Sequence, residues 1–535
     1  MKPQIVNIVN FVRGCEPRQK TDLVEPVVEQ LKLLKQYALP GTFLLQYDAL
    51  IKEEFSSLFA GAGSGVEIGL WLEMNQPLVE RAGLVWRGRP GWPWDYHSDV
   101  GFSVGYRPEE RKALVDECFR AFKAVFGRFP STVGSWFIDA VTLGYLYDRY
   151  SIAASCNCKD QWGTDGYTIW GGYYGQAYYP SRSNMLCPAQ SREQQISVPV
   201  FRMLGSDPIY QYDAGSSVDS LTECQPVVTL EPVYSGASGG GGNPGWVRWY
   251  MEENFNGICL SFGYTQAGQE NSFGWEAMAA GLARQFSLFA SLRDAGKISL
   301  ETMEQTGRWY QDTYPLTPPS AIAAKTDWKN EGRQSCWFSS SRYRANLYFE
   351  DGFFRIRDFT LFDERYPERY LDAVCDSPAA CFDNLPLMDG HRWSGDGVRA
   401  GIWLCNGGGD KAAVSEALFR DAGNGSLVTT FTVSGGGRCT VMCREDRIQF
   451  DLSGYPQGQL RFIMAHGNKE PAMQHQNSAI RYHWNGFEYA LRISKGSLAQ
   501  ADGTLQVLPD SNGQIELIPG ENTAQPLCYS ELQQP

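Results

Sequence analysis

Val66-Glu67-Ile68-Gly69-Leu70-Trp71-Leu72 is a short apolar run that ends at Glu73, with Gln76 three residues further on. An apolar run of this length, closed by polar residues, is typical of a strand that is buried on both faces of a parallel sheet. Similar runs lie on either side of it along the chain, at residues 4–13, 42–46, 132–138, 152–156, 198–204 and 257–262.

Helical patterns alternate with these runs. Apolar residues recur every three or four positions over residues 23–37, and Thr21 or Asp22 stands where a helix cap is expected. Residues 108–126 open with Pro108 and two glutamates and are followed by Gly127, and a third helix is predicted over 276–294. This alternation predicts an α/β fold with a parallel sheet, here a distorted (β/α)7-type barrel over residues 1–320.

The pattern changes after the proline-rich segment at residues 315–319. Helical periodicity almost disappears there, and short β-rich runs are separated by turn signals. Asp351-Gly352 and Asn485-Gly486 each lie between two such runs, as two-residue hairpin turns do. Residues 325–535 are therefore expected to form an antiparallel β-sandwich. The Gly-rich segment 235–245 lies within the barrel half and predicts a flexible loop near the cleft.

Composition limits the classes of partner. The 535 residues include 47 Lys and Arg against 60 Asp and Glu, a net charge of −13, so neither nucleic acid nor an anionic membrane surface is an expected partner. No apolar run reaches the roughly 18 residues of a membrane span. The 14 cysteines are spread through the chain without a secretory signal, which predicts reduced thiols in a cytoplasmic protein. The sequence is compatible with an oligomer.

Aromatic residues make up 13% of the chain, and many lie in Gly-rich stretches such as 86–96 and 162–179. Flat rings on loops, beside Asp, Arg and Gln, suit the apolar faces and the hydroxyl groups of a sugar, although such rings also pack loops onto a scaffold. In a β/α barrel, ligands meet the residues that follow each strand. Contacts with a carbohydrate substrate are therefore predicted for Arg13, Glu16, Gln46, Asp48, Glu73, Gln76, Trp94, Asp95, His97, Trp136, Lys159, Asp160, Trp170, Tyr174 and Glu270.

Residues 31–47 and 66–77, together with the helix at 108–130 and its closing Phe-Gly-Arg-Phe-Pro, resemble the polysaccharide deacetylase (NodB-like) superfamily. That superfamily shares its distorted β/α barrel with glycoside hydrolase families 57 and 38. The chain is also similar to an uncharacterised bacterial family that has this barrel and a β-sandwich tail. The resemblance covers about residues 4–310 and implies a carbohydrate-active hydrolase.

The metal site of the deacetylases has no counterpart at the matching positions. Their third strand has the pattern Glu-Ile-Gly-x-His-x-x-x-His, and here Glu67-Ile68-Gly69 is followed by Trp71 and Asn75 at the histidine positions. The first strand lacks the aspartate pair of that family, and His97 is the only histidine of the barrel half. We therefore expect an enzyme that uses no metal and no other cofactor.

Two motifs resemble family 57 glycoside hydrolases. In Gly134-Ser135-Trp136-Phe137-Ile138-Asp139 the last residue occupies the nucleophile position, with Asp in place of Glu, and Asp207 in the segment 204–210 occupies the acid/base position. The resemblance implies a retaining glycoside hydrolase with Asp139 and Asp207 as its carboxylates and with Glu73 and Asp160 as substitutes. The ordinary alternatives are a helix cap for Asp139 and a turn acid for Asp207.

Two other functions stay open at the level of the sequence. One is a deacetylase-like hydrolase with a different metal site. The other is a catalytically inactive barrel that binds glycans, which would have an aromatic cleft without two converging carboxylates.

Overall fold

The computed structural model describes residues 2–164, 166–215, 225–382, 384–395, 397–465, 472–476 and 478–520. Its first half is built on seven strands: β1 Gln4–Val12, β2 Gly41–Leu45, β3 Val66–Trp71, β4 Thr132–Gly134, β5 Ala154–Cys158, β6 Val200–Met203 and β7 Gly263–Ala267. Their order in the sheet is β7-β1-β2-β3-β4-β5-β6, and every neighbouring pair is parallel. The sheet curls around an apolar interior, which confirms the predicted barrel.

The barrel is distorted at the side where β6 and β7 face each other. Among the described residues, no ladder of hydrogen bonds joins these two strands. The free edge of β6 pairs instead with the antiparallel strand Ala177–Tyr178, while Ser299–Glu301 pairs with the beginning of β1. These features confirm the prediction of a distorted barrel.

Helices cover the outside of the sheet. The longer ones are α1 Glu25–Tyr37, α2 Pro108–Phe126, α3 Ala140–Tyr150, α4 Pro244–Asn254, α5 Trp275–Asp294 and α6 Met303–Thr313. Short helices at Tyr47–Leu50, Glu53–Ser56, Gln76–Arg81 and Ser98–Gly101 lie in the connections that follow β2 and β3. Helix α2 begins at Pro108 and is closed by Gly127 with a φ of 72°, as its start and stop signals predict.

The last barrel strand lies later in the chain than the sequence predicted. Residues 257–262 are apolar enough for a strand, but Gly257 has a φ of 88° and Leu260 a φ of 63°, and such values interrupt extended backbone. The strand that pairs with β1 is Gly263–Ala267, in the register Gln4↔Gly263 to Ile8↔Ala267. The predicted strand at 257–262 is therefore wrong.

The Gly-rich segment 235–245 is hydrogen-bonded to neighbouring backbone and to helix α5. The amide of Gly241 donates to the carbonyl of Thr229 at 2.8 Å, and Gln285 of α5 donates to the carbonyls of Leu230 and Gly241 at 2.9 and 2.8 Å. A Cβ atom on Gly241 would lie 2.0 Å from the oxygen of Leu230, so glycine is required by close backbone packing. These contacts contradict the predicted flexible loop.

The second half is a β-sandwich of two antiparallel sheets, which confirms that part of the predicted fold. One sheet has the order Ser320–Ala324, Gln334–Ser339, Tyr343–Glu350, Phe353–Leu361, Gly401–Cys405, Gln459–Ile463, Thr504–Leu508 and Ser497–Ala501, with Leu385–Asp389 also paired to Phe353–Leu361. The other has the order Leu418–Asp421, Leu427–Val433, Gly437–Cys443, Ile448–Asp451, Gln514–Pro519, Phe487–Lys495, Ala479–Trp484 and Ala472–Gln476. Asp351-Gly352 and Asn485-Gly486 form the predicted hairpin turns, with positive φ at all four residues.

The barrel and the sandwich are joined by a buried polar seam. The strand Ala380–Phe382 pairs in parallel with Tyr167–Ile169 of the barrel half, which in turn pairs with Gln161–Thr164. Arg344 of the sandwich contacts Asp160 of the barrel at 2.6 Å and forms two 2.9 Å contacts with Asp358. The predicted division places Ser320–Ala324 between the domains, whereas this strand pairs with Gln334–Ser339 in the sandwich sheet.

No disulfide bond joins the cysteines within the described ranges. No helix within the described ranges is long and apolar enough to cross a bilayer.

Candidate active site

A pocket of about 360 Å³ lies at the carboxyl ends of the barrel strands. Its walls come from residues that follow most of the strands and from the loop between β6 and β7. They are Arg18, Gln19, Trp136, Gln161, Tyr167, Leu204, Val227, Glu231, Tyr234, Glu270, Ser272 and Phe273. This is the end of a β/α barrel where active sites are found, and Trp136 and Glu270 are the predicted sugar contacts that line it.

Two carboxylates line the pocket, and neighbouring side chains fix both of them. Glu270 follows β7 and accepts a hydrogen bond from the hydroxyl of Ser272 at 2.6 Å. Glu231 accepts from the amide of Gln269 at 3.1 Å and from the hydroxyl of Thr229 at 2.8 Å. Because Gln269 and Glu270 are adjacent in the chain, the end of β7 orients both acids of the pocket.

Arg13 lies directly behind this pair, at the end of β1. One of its nitrogens, Nη2, is 3.2 Å from Oε2 of Glu270 and 3.3 Å from Oε1 of Glu73, and Nη1 is 3.5 Å from Oε2 of Glu16. The guanidinium is stacked on Trp94, 3.9 Å from the ring centroid. Arg13 therefore holds three acids near one buried cation, and the ring of Trp94 fixes the plane of the guanidinium group.

Glu73 is the acid of this cluster whose protonation is most perturbed. Burial raises the pKa of Glu73 to about 7, with the charge of Glu270 acting in the same direction and that of Arg13 opposing it. Gln46 donates to Glu73 Oε2 at 3.1 Å. Glu16 has the opposite shift: its burial is outweighed by bonds from Arg18, which hold the pKa of Glu16 below its usual value.

Aromatic rings form two sides of the pocket. Trp136 stands edge-on to Trp71, with ring centroids 5.3 Å apart, and is stacked with Tyr167 at 6.5 Å. On the other side the rings of Tyr234 and Phe273 meet edge to face at 6.4 Å. Rings that frame two carboxylates provide both the apolar faces and the polar atoms that a sugar contacts.

Asp139 has the contacts of a helix cap. It precedes α3, and its Oδ1 accepts from the amide of Thr142 at 3.0 Å and from Nη1 of Arg111 at 2.9 Å, while Ser103 donates to its Oδ2 at 2.5 Å. It is fully buried, and it does not line the pocket. These are the contacts of the helix cap that was the alternative to a nucleophile, and the catalytic role of Asp139 stays a prediction.

Both carboxyl oxygens of Asp207 also accept hydrogen bonds from neighbouring groups. Its Oδ1 accepts from the amides of Ile209 and Tyr210 at 2.8 and 2.9 Å, and its Oδ2 accepts from the indole of Trp246 at 2.8 Å. Burial raises the pKa of Asp207, although those hydrogen bonds oppose the shift. A raised pKa suits a catalytic acid, but Asp207 holds a turn and does not line the pocket.

Four predicted sugar contacts lie in or beside the domain seam. Trp170 donates its indole N–H to Asp389 at 2.9 Å, and Tyr174 is stacked on Trp337 at 3.8 Å. Asp160 pairs with Arg344 across the seam, as described above. Lys159 is buried against the Tyr174 ring, and burial lowers the pKa of Lys159 to about 7, with Arg202 adding to the shift. The pocket is not lined by these side chains.

The remaining predicted contacts support the loops around the pocket. Asp48 accepts from the amides of Gly14 and Ala49, and burial raises the pKa of Asp48. Asp95 binds Arg89, and its neighbour His97 is 3.9 Å from it. Gln76 donates to Glu80 within one short helix.

The donor set does not fit the metal site that the fold family implies. Trp71 is packed in the barrel interior between Phe11 and Trp136, and Asn75 accepts from the amide of Leu78 as a helix cap. Within the described ranges, no group of three or more His, Cys, Asp or Glu side chains is placed to hold a metal ion. No step of a mechanism is therefore assigned to a metal here.

Glu231, Gln161, Tyr167 and Tyr234 line the pocket but were not predicted. Glu231 lies in a long loop, whereas the predictions considered residues directly after strands. The signal available in the sequence was Leu230-Glu231-Pro232, an acid ahead of a proline and close to the Gly-rich segment.

A scan against protein-family models and a search of the curated proteins each give no match to this chain. Among solved structures, a protein of Parabacteroides distasonis assigned as a glycoside hydrolase/deacetylase is 16% identical, with a TM-score of 0.53 over 72% of this chain and 90% of that chain. A Mycobacterium smegmatis protein assigned as a polysaccharide deacetylase is 13% identical, with a TM-score of 0.35 over 59% of this chain and 93% of that chain. The first similarity agrees with the described topology: the chain shares a β/α-barrel fold with the Parabacteroides distasonis protein.

Proposed function

We propose that this protein is a carbohydrate-active hydrolase, specifically a glycoside hydrolase, with Glu231 and Glu270 as its catalytic carboxylates. One observation carries the proposal: both acids line one aromatic-walled pocket at the carboxyl end of the barrel. The fold shared with a protein assigned as a glycoside hydrolase/deacetylase supports the coarser class of hydrolase.

Glycoside cleavage needs one ionised carboxylate and one protonated acid on opposite sides of the scissile bond. Glu270 suits the first role because it forms an ion pair with the Arg13 guanidinium, 3.2 Å away. Glu231 suits the second role. The hydroxyl of Thr229 can accept as well as donate, so the contacts of Glu231 tolerate a proton on its carboxyl group.

In the proposed reaction, Glu270 attacks the anomeric carbon while Glu231 gives its proton to the leaving oxygen. Water then releases the sugar from Glu270, with Glu231 taking one proton from that water. The anomeric configuration is retained, because two successive displacements at the anomeric carbon each invert it. The two-step scheme consumes one water for each bond cleaved, and both carboxyl groups return to their first state.

The size of the pocket bears on the substrate. Its volume of about 360 Å³ is at the lower end of the range of ligand sites, which is about 300–1,000 Å³. Such a space suits one or two sugar rings, so we propose an oligosaccharide or a simple glycoside as the substrate.

A screen of aryl glycosides and oligosaccharides, with and without a chelator, tests the proposal. Glu270→Gln and Glu231→Gln should each lower kcat by at least 100-fold on any glycoside that is cleaved, with no effect of the chelator. Glu193→Gln, at an exposed position outside the pocket, is the matched control. Proton NMR of the first product should show retention.

Two outcomes would favour the rival functions. Release of acetate from acetylated sugars, abolished by the chelator, would indicate a metal-dependent deacetylase. Sugar binding in calorimetry that is lost in an aromatic variant such as Trp136→Ala, without turnover of any glycoside, would indicate a glycan-binding barrel.

A further inference from the structure

A second concave surface lies on the outside of the barrel, between helices α4 and α5. Two adjoining cavities of about 500 and 630 Å³ form it, and they share Arg248 and Leu288. The first ends against Gly241 and Gly242, and the second extends to Gln4 at the start of β1. We call this surface the α4–α5 groove.

The floor of the α4–α5 groove is apolar and regular. Val247 and Met251 lie four residues apart on α4, and Leu288 and Leu292 lie four residues apart on α5. Residues with this spacing share one face of a helix, so Leu288 and Leu292 present a partly exposed apolar pair to the groove, whereas Val247 and Met251 are buried in the barrel core at its base. Side chains arranged in this way form the surface that receives the apolar face of another helix.

The rim of the groove is positively charged, although the whole chain has a net charge of −13. Arg248, Arg284 and Lys297 line the groove, and Glu252 is the one acid among its lining residues. The three cations are exposed. Their side chains make no ion pair or hydrogen bond with any residue in the described part of the chain.

We propose that the α4–α5 groove binds an acidic amphipathic helix of a partner protein. Charge complementarity is the argument for this occupant: three cations without ion pairs beside an apolar floor match carboxylates flanking an apolar stripe. The length agrees. The ten residues from Ala283 to Leu292 form the α5 wall, and their rise of about 14 Å, at 1.5 Å per residue, accommodates two to three turns of a bound helix.

Fluorescence anisotropy with the full-length protein and a labelled synthetic helix tests this proposal. The probe is a 15-residue peptide with Leu at every third or fourth position and Glu beside each Leu, and a second peptide has Lys in place of every Glu. The Glu peptide should bind at least 10-fold more tightly than the Lys peptide. Arg248→Glu/Arg284→Glu should weaken binding of the Glu peptide at least 10-fold.

Arg192→Glu, at an exposed arginine outside the groove, is the matched control and should leave binding unchanged. Equal binding of both peptides, no binding, or binding unaffected by Arg248→Glu/Arg284→Glu would overturn the proposal. Light scattering of the free protein adds a separate outcome. A dimer that Arg248→Glu/Arg284→Glu dissociates would show that a second copy of this chain covers the groove, which also overturns it. Circular dichroism establishes that each variant is folded.

Discussion

Glu73 and Glu270 contact the same nitrogen of Arg13, at 3.3 and 3.2 Å. Their nearest oxygens are therefore at most about 6.5 Å apart, and the charge of Glu270 contributes to the raised pKa of Glu73. Glu270 lines the pocket and Glu73 does not. This relationship makes Glu73 a positioning residue, which acts on the proposed catalytic carboxylate through the arginine between them.

Glu73→Gln is expected to change how stability depends on pH. Burial raises the pKa of Glu73 from 4.5 to about 7, so the folded protein holds this proton more tightly than the unfolded chain does. That contribution is fully present below pH 4.5 and is lost as the pH rises through about 7. Between pH 5 and pH 8, wild type should lose about 1–3 kcal/mol more than the variant in urea unfolding.

Glu193→Gln is the control for this measurement, because its side chain is exposed. The control should follow the wild-type curve. Parallel stability curves for wild type and Glu73→Gln over this pH range would contradict the assignment of a perturbed proton to Glu73.

Arg13→Met should destabilise the fold strongly. It removes the guanidinium contacts of Glu16, Glu73 and Glu270, and breaking a buried ion pair typically costs about 3–5 kcal/mol. Methionine retains much of the apolar contact with Trp94 but not the charge. Equilibrium unfolding in urea measures the loss, and the double variant Arg13→Met/Glu73→Gln should recover part of it, since one buried carboxylate is then neutral.

If Arg13→Met is as stable as wild type, the arginine is not the charge partner of these acids. The control is Arg192→Met, which removes an exposed arginine. Its stability should change by no more than about 0.5 kcal/mol.

The fold could be predicted where the turn residues and the pattern of apolar residues indicate the same structure. The Asp351-Gly352 and Asn485-Gly486 turns lie where they were predicted, because a two-residue hairpin requires left-handed backbone that these residues adopt at low cost. The strand at residues 257–262 was mispredicted because apolar composition does not reveal a left-handed Leu260. Hydrophobicity indicates burial, whereas the backbone angle decides whether the chain is extended.

The site was predictable only in part, for a similar reason. Glu270 and Trp136 follow barrel strands, and the rule for strand ends locates them. Glu231 comes from a loop that folds back over the pocket, and no rule for strand ends finds it. Asp139 shows a second limit of the sequence: an acid between a strand and a helix suits both a catalytic group and a helix cap, and the cap contacts are visible only in three dimensions.

Asp139→Asn should affect stability far more than catalysis. The asparagine can still cap α3, but Arg111 then lacks its carboxylate partner at a fully buried position. We expect a loss of about 3–5 kcal/mol. At a temperature where the variant stays folded, kcat on a cleaved glycoside should remain within about threefold of wild type, whereas Glu270→Gln should lose at least 100-fold. A 100-fold loss of kcat in folded Asp139→Asn would restore the catalytic role that the sequence motif suggested.

Arg344→Met tests whether the domain seam unfolds together with the barrel. Arg344 is fully buried and contacts Asp160 of the barrel and Asp358 of the sandwich. Removing it leaves two buried acids without this cation, and we expect a loss of about 3–5 kcal/mol, part of which Arg344→Met/Asp358→Asn should recover.

The control for the seam is Arg308→Met, which breaks the exposed pair between Arg308 and Glu304 on α6. An exposed pair of this kind contributes about 0–1 kcal/mol, so Arg308→Met should unfold close to wild type. Because Arg344 bridges both halves, far-UV circular dichroism and tryptophan fluorescence should report one coincident unfolding transition in wild type. Two separate transitions in wild type, or an Arg344→Met variant as stable as Arg308→Met, would mean that the ion pairs of the seam do not couple the sandwich to the barrel.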